Sequence, residues 1–186
     1  MAGISLSHMV SKLVLAIAEN LELFHEEKVE KATLDKLTKH YYEVKDGIGA
    51  HKSPKEFGAF PFDPYSHTPT MAGVQQPGMT GLVKEDIISR FYELGVQVEN
   101  GCITINPTIL KSDEFIQSGT ENPFIRFTYC SVPFEYQLKK EKGLELVYTD
   151  GRIEKTDEYS LNSVQSMAVF NRDKQIQKIV VSFSEL

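Results

Sequence analysis

The side chains best equipped for chemistry cluster in one stretch of the chain, residues 47–81. There His51, Asp63, Tyr65, His67, Gln75, Gln76 and Thr80 are interleaved with Phe57, Phe60, Phe62, Met71, Val74 and Met79. Amides, carboxylates, imidazoles and hydroxyls direct hydrogen bonds, while aromatic rings offer flat apolar faces. Together they suit a neutral polyhydroxylated ligand, whose C–H faces stack on rings and whose hydroxyls are oriented one at a time. Gln75-Gln76 is the most specific signal, because a plain connector ahead of Pro77-Gly78 has no use for two adjacent amides. The other residues also have structural readings. Phe57, Phe60 and Phe62 could anchor the segment, Asp63 before Pro64 is a turn-initiating pair, and His51 and His67 could be hydrogen-bonded without any ligand. His51, Asp63 and His67 show none of the spacings of a metal site, and no cofactor is expected. Pairing Asp63 with Glu85 or Asp86 as general acid and base would require carboxyl groups about 5 to 9.5 Å apart.

The surrounding elements must position this stretch. Pro54, Pro61, Pro64, Pro69 and Pro77, with Gly49, Gly58, Gly73 and Gly78, forbid a helix or a central strand across it. Its large apolar content predicts an ordered, packed loop rather than a solvated linker. Upstream, Leu6, Met9, Val10, Leu13, Val14, Ile17 and Leu21 recur at steps of three and four, which predicts one apolar helix face. A second set, Val29, Ala32, Leu34 and Leu37, predicts a helix running to about Lys45, so that the two form an antiparallel hairpin. Glu19, Glu22, Glu26, Lys31, Lys36 and Lys39, with His25 and His40, fall on its solvated side. Downstream, Thr80 reads as the cap of a helix through Ile87, Ile88, Phe91 and Leu94 that stops at Gly95. Its amino end, at Met79 to Leu82, would offer free backbone N–H groups to a ligand held by the Gln75-Gln76 loop.

Beyond Gly95 the period changes to two. Asn100-Gly101 and Asp150-Gly151 mark hairpins, and strands are predicted at Phe124 to Tyr129, Phe134 to Leu138, Leu144 to Tyr148, Val164 to Phe170 and Ile176 to Phe183. The expected fold class is α+β, with a helical segment over 1–95 and a β-domain over 96–186, built as a small antiparallel sandwich or bent sheet of six to eight strands.

Composition limits the partners. With 20 Lys and Arg against 26 Asp and Glu in 186 residues, the net charge is −6, which disfavours nucleic acid and anionic membrane surfaces. Cys102 and Cys130 lie in predicted strands and read as small buried hydrophobes rather than as a disulfide framework. The apolar run Leu13 to Ala18 is too short to span a bilayer and passes directly into Glu19-Asn20-Leu21-Glu22, so it reads as helix rather than leader. A complete chain without a leader would be cytoplasmic; a piece of a longer protein could be periplasmic or secreted.

The order of these elements, followed by Gly101-Cys102-Ile103-Thr104-Ile105-Asn106-Pro107-Thr108-Ile109-Leu110, resembles the C-terminal end of glycoside hydrolases and phosphorylases built on an (α/α)6 toroid, the cellobiose phosphorylase group. Phe134 to Leu138 and Tyr148-Thr149-Asp150-Gly151-Arg152 are similar to the tail of that group's β-domain. The resemblance spans residues 5–186. It implies that the helices are the last staves of a toroid, that exposed helix faces meet missing toroid helices or a second copy, and that the catalytic carboxylate lies upstream of this sequence. It also implies that Ala72 to Gly81 lines a sugar subsite for an oligosaccharide or polysaccharide. Gln76-Pro77-Gly78 stands where the phosphorylases place a His-Gly pair, which disfavours phosphorolysis. A non-catalytic glycan- or protein-binding module is the alternative expectation.

Overall fold

The computed structural model describes residues 3–47, 80–117, 119 and 122–184, with side chains described for 12–45 and from 87 onward. The fold is α+β, with helices leading and strands following. The chain forms two compact units, 1–92 and 93–186. Glu93 and Leu94, which end the helix before the first strand, fall in the second unit and are buried.

In the first unit, α1 (Gly3–Glu26) packs against α2 (Lys31–Gly47). The reversal between them begins with a Schellman closure: Lys28 N–H donates to His25 C=O at 3.1 Å and Val29 N–H to Phe24 C=O at 3.0 Å, with Lys28 at φ 55 in the position glycine usually takes. Val14, Ile17, Ala18 and Leu21 form the buried stripe of α1, and Tyr41 of α2 is fully buried. Leu13, expected on that stripe, is instead 47% exposed. Among the predicted solvated residues, Glu19, Glu26, Lys31, Lys36, Lys39, His25 and His40 are exposed and Glu22 is half-buried.

Helix α3 (Thr80–Leu94) has the predicted limits but presents a different face. Ile87 and Ile88 are 50% and 42% exposed, whereas Ser89, Glu93 and Leu94 are buried. The helix stops at Gly95, whose φ of +68 suits glycine. A Cβ there would sit 2.2 Å from Asn106 C and Pro107 N, so only glycine lets the chain pass this closely. Gly95 C=O accepts from Asn106 N–H at 2.8 Å, and Leu94 C=O accepts from the buried Tyr136 hydroxyl at 2.7 Å.

The second unit opens with an antiparallel ribbon, β1 (Val96–Glu99) and β2 (Cys102–Ile105). Asn100 and Gly101 turn it with φ of 49 and 80, as a two-residue Asn-Gly turn requires. A five-stranded sheet follows, made of β3 (Phe124–Tyr129), β4 (Val132–Leu138), β5 (Gly143–Tyr148), β6 (Ile153–Thr156) and β7 (Ile176–Phe183), in the order β3-β4-β7-β5-β6. The expectation of a purely antiparallel β-domain is corrected at one seam: β4 and β7 run parallel, Phe134 opposite Ile179 and Leu138 opposite Phe183. Two further corrections concern local structure. Val164 to Phe170, expected as a strand, is helix α4 (Ser163–Asn171), started by a capping box in which Asn162 accepts from Gln165 N–H and Gln165 accepts from Asn162 N–H, both at 3.0 Å. Cys130 lies not in a strand but in the β3–β4 turn with Ser131, at φ 48 and 68, and both cysteines are free and half-exposed.

Pairing register assigns the two faces of the sheet. Ile125, Phe134, Tyr136, Ile179, Val181, Leu144 and Leu146 share the inner face and are buried. The opposing side of the core comes from buried Ile103 and Ile105 of the ribbon, Ile109, Leu110 and Phe115 of the following stretch, and Leu161 and Val169 around α4. On the outer face one register row crosses all five strands: Arg126, Glu135, Val180, Glu145, Lys155. Its two ends are ion pairs, Arg126 Nε–Glu135 Oε2 at 2.6 Å and Lys155 Nζ–Glu145 Oε2 at 3.0 Å.

Candidate functional site

The loop residues singled out by composition, His51, Asp63, Tyr65, His67, Gln75 and Gln76, lie outside the described residues. So does the side chain of Thr80, which is the first residue of α3. The described residues bring together a different set of polar groups, in the second unit.

The alternation of β2 sends Ile103 and Ile105 into the core and leaves Cys102 and Thr104 on the other face. The segment 159–161 adds to the open side of β2: Ile105 N–H donates to Tyr159 C=O and Leu161 N–H to Ile103 C=O, both at 2.8 Å, with Thr104 bridged to Ser160. Thr104 and Ser160 therefore share one face, beside Cys102. The tight Asn100-Gly101 turn sets Glu99 directly opposite Cys102 at one end. Asn162 then ends the added strand and starts α4. The outcome is a cleft of about 520 Å³ whose lining includes Glu99, Cys102, Thr104, Glu158, Ser160 and Asn162.

Hydrogen bonds hold this frame in place. Ser166 of α4, fully buried, accepts from Ile103 N–H at 2.9 Å and donates to Leu161 C=O at 3.3 Å. Gln165 is committed on both ends of its amide, since its carbonyl takes Asn162 N–H while its NH2 donates to Glu154 at 2.8 Å. Glu154 also accepts the Tyr148 hydroxyl at 2.9 Å. Desolvation first, and the neighbouring Glu154 carboxylate second, push the Tyr148 phenol above its ordinary value, so it remains a donor. One group stands apart: the Thr104 hydroxyl is closed off from solvent and finds no hydrogen-bond partner among the described residues.

The lining of the cleft mixes amides and hydroxyls, which both donate and accept, with two carboxylates. Glu99 and Glu158 are its charged residues, and no Lys, Arg or His contributes to it. None of the five histidines of the chain falls after residue 67, so acid–base work in this unit would rest on carboxylates. Among the described residues no group of three or more His, Cys, Asp or Glu is placed to hold a metal ion, and no helix is long and apolar enough to cross a membrane.

A second concavity, about 540 Å³, lies on the outer sheet face between Arg126, Thr128, Pro133, Glu135, Gln177 and Lys178. Two of its polar groups, Arg126 and Glu135, are paired with each other. Partial burial raises the Glu135 carboxyl, but hydrogen bonds from Arg126 and Gln137 and the charges of Arg126 and Lys178 outweigh this and hold it below the ordinary carboxylate value. The Arg126 guanidinium also stacks over the Phe124 ring at 4.2 Å. In the groove the carboxylate and the guanidinium are thus paired with each other, whereas the two carboxylates of the ribbon cleft have no cation in its lining.

The sequence reading missed the ribbon cleft because its members come from Glu99 to Thr104 and Thr156 to Gln165, stretches with no shared motif. The Asn162-x-x-Gln165 spacing was the available local signal, since it marks a helix start where a strand was expected. No protein-family model matches the chain, and no curated protein matches it.

Proposed function

We propose that the chain is a carbohydrate-binding part of a glycoside hydrolase-like protein, contributing sugar contacts while the catalytic acid is supplied from outside this sequence. The observation that carries this reading is the ribbon cleft, lined by hydroxyl, amide and carboxylate groups with no cationic side chain, a surface suited to the hydroxyls of a sugar. The aromatic and amide composition of residues 51–80 supports the same ligand class. The sequence order of a helix pair, a Pro-rich segment, a helix and a β-domain supports the relation to toroidal enzymes, and with it further helices or a second copy against the first unit.

Titration of the labelled chain with cello-, xylo-, malto- and β-1,2-gluco-oligosaccharides, following backbone and side-chain amide resonances, tests it. Shifts are expected at Asn162 and Thr104, and at Gln75 and Gln76. Silence at all four positions across the panel at millimolar sugar overturns the reading.

A second reading, a protein-binding module, is favoured by one feature: Val164 and Met167, three residues apart on α4, are 78% and 55% exposed. Substituting both with Ser would abolish partner capture on that reading and leave sugar titrations unchanged on the first.

A further inference from the structure

We propose that residues 172–174 are a hinge through which two copies of this chain exchange β7, giving a strand-swapped dimer. The hinge joins α4 to β7, and its three residues are exposed. Arg172 ends α4 at φ 55 and ψ 38, and Lys174 turns the chain again at φ 63. Two of the three residues are thus left-handed without being glycine, a conformation that L side chains disfavour. At a helix end it normally falls to Gly or Asn.

Local contacts hold this turn closed. Arg172 N–H donates to Val169 C=O at 3.1 Å, while the Asp173 carboxylate accepts Gln175 N–H at 2.9 Å and the Gln175 side-chain amide at 3.0 Å. Gln175 itself is already seated on the sheet, its C=O accepting from Thr149 N–H at 2.9 Å. The run Arg172-Asp173-Lys174-Gln175 contains neither Gly nor Pro, so no residue type in it stops α4 at Asn171. With Arg172 and Lys174 returned to right-handed values, α4 runs on through the hinge and carries β7 away from its own sheet.

The released strand fits one partner, a second copy of the chain. Ile176, Ile179, Val180, Val181 and Phe183 are buried, so β7 is stable only inside a sheet. Among the described residues no element follows it, and it can move without dragging another. The slot between β4 and β5 of a second copy offers the identical register, with Phe134 on one side and Leu146 on the other opposite Ile179. Every sheet pairing made within one chain is therefore remade between two, and the closed and exchanged forms differ at the hinge, where the exchanged form is free of the left-handed residues. This exchange lies within the second unit and is independent of the sugar reading.

The test refolds the full chain from urea at micromolar and at millimolar concentration and sizes it by light scattering. A dimer is expected at the higher concentration. Val147 and Lys178 stand opposite each other across β5 and β7. In a Val147→Cys/Lys178→Cys chain, with Cys102→Ser and Cys130→Ser removing the native thiols, a short bis-maleimide should join two chains in the dimer and bridge a single chain in the monomer. Lys174→Gly relieves the closed turn by about 5- to 30-fold per hinge, and a dimer has two hinges, so its Kd should rise by the square of that factor, about 25- to 900-fold. Asp173→Ala removes both contacts to Gln175 and should shift the balance toward dimer. Monomer alone at both concentrations, in the wild type and in Asp173→Ala alike, overturns the inference. So does a dimer in which the bis-maleimide bridges only within chains, or one whose Kd is unchanged by Lys174→Gly.

Discussion

Ser166→Ala isolates the polar contact on which the cleft frame depends. Ser166 is fully buried; its Oγ accepts Ile103 N–H at 2.9 Å and donates to Leu161 C=O at 3.3 Å, tying α4 to the middle of β2 and to the strand added beside it. Removing the hydroxyl leaves the Ile103 N–H buried without an acceptor, a penalty of about 1–3 kcal/mol. Leu161 C=O is the longer contact and contributes about 0.5 kcal/mol, which the better helix propensity of Ala offsets by a similar amount, about 0.5 kcal/mol. The net loss is about 1–3 kcal/mol. For a unit of this size that lowers Tm by roughly 5–20 °C. Near-ultraviolet circular dichroism of the full chain follows the melt, and hydrogen exchange reads the Ile103 amide directly. Ser163→Ala, at an exposed position of the same helix, should be near neutral. A Tm change under about 2 °C in Ser166→Ala, with the Ile103 amide still protected, would show that the hydroxyl does not hold the frame.

Three other outcomes follow from the same physical chemistry. Gly95→Ala should be far more damaging than Gly101→Ala: both have positive φ, costing about 1–2 kcal/mol, but only at Gly95 does the new Cβ meet backbone, at 2.2 Å, while at Gly101 nothing lies within 4 Å; urea midpoints of the two variants compare them. Tyr136→Phe should cost about 1–3 kcal/mol by leaving Leu94 C=O without its donor. Because burial pushes the Tyr136 phenol well above its ordinary value, the wild-type contact should be independent of pH through the neutral and mildly alkaline range, as urea midpoints across that range would reveal. Glu135 has a depressed folded value, so its contribution to stability is present above the ordinary carboxylate range and is lost as pH falls through the depressed value. In Arg126→Gln the carboxyl should titrate higher, by carbon-detected NMR, and this acid-side loss of stability should shrink.

Legibility in the sequence tracked how local each determinant was. The Asn100-Gly101 and Asp150-Gly151 turns were readable because the dipeptide itself supplies the backbone geometry. The latter closes with Gly151 N–H to Tyr148 C=O at 3.1 Å and Gly151 at φ 88. The Cys130-Ser131 turn was not, because it takes the same left-handed conformation with residues that carry no turn signature. Val164 to Phe170 has two β-branched residues and an aromatic in a short apolar run, a pattern that strand and helix share; the cap at Asn162 decided it. On α3 the apolar spacing located the helix but misplaced its face, since Ile87 and Ile88 are exposed while Glu93 is buried. The parallel β4–β7 seam has no sequence signal, because alternation fixes which face a side chain takes and not which strand lies alongside. The cleft depends on that same non-local assembly. The loop residues His51, Asp63, Tyr65, His67, Gln75, Gln76 and Thr80 remain a proposal about composition.

The position of β7 has a consequence for how the protein is made. It is the middle strand of the sheet, parallel to β4 on one side and antiparallel to β5 on the other, and it follows every other strand in the chain. During vectorial synthesis the β3–β4 and β5–β6 hairpins leave the ribosome first, each with a long unpaired edge and no seam between them. They can be joined only after residues 176–183 have emerged and inserted between two strands already made. The second unit is therefore completed in a single late step, and until then both inner edges are open to pairing with other chains. Slow translation near the end of this unit would prolong that vulnerable interval, and a chaperone that shields strand edges would act most usefully there.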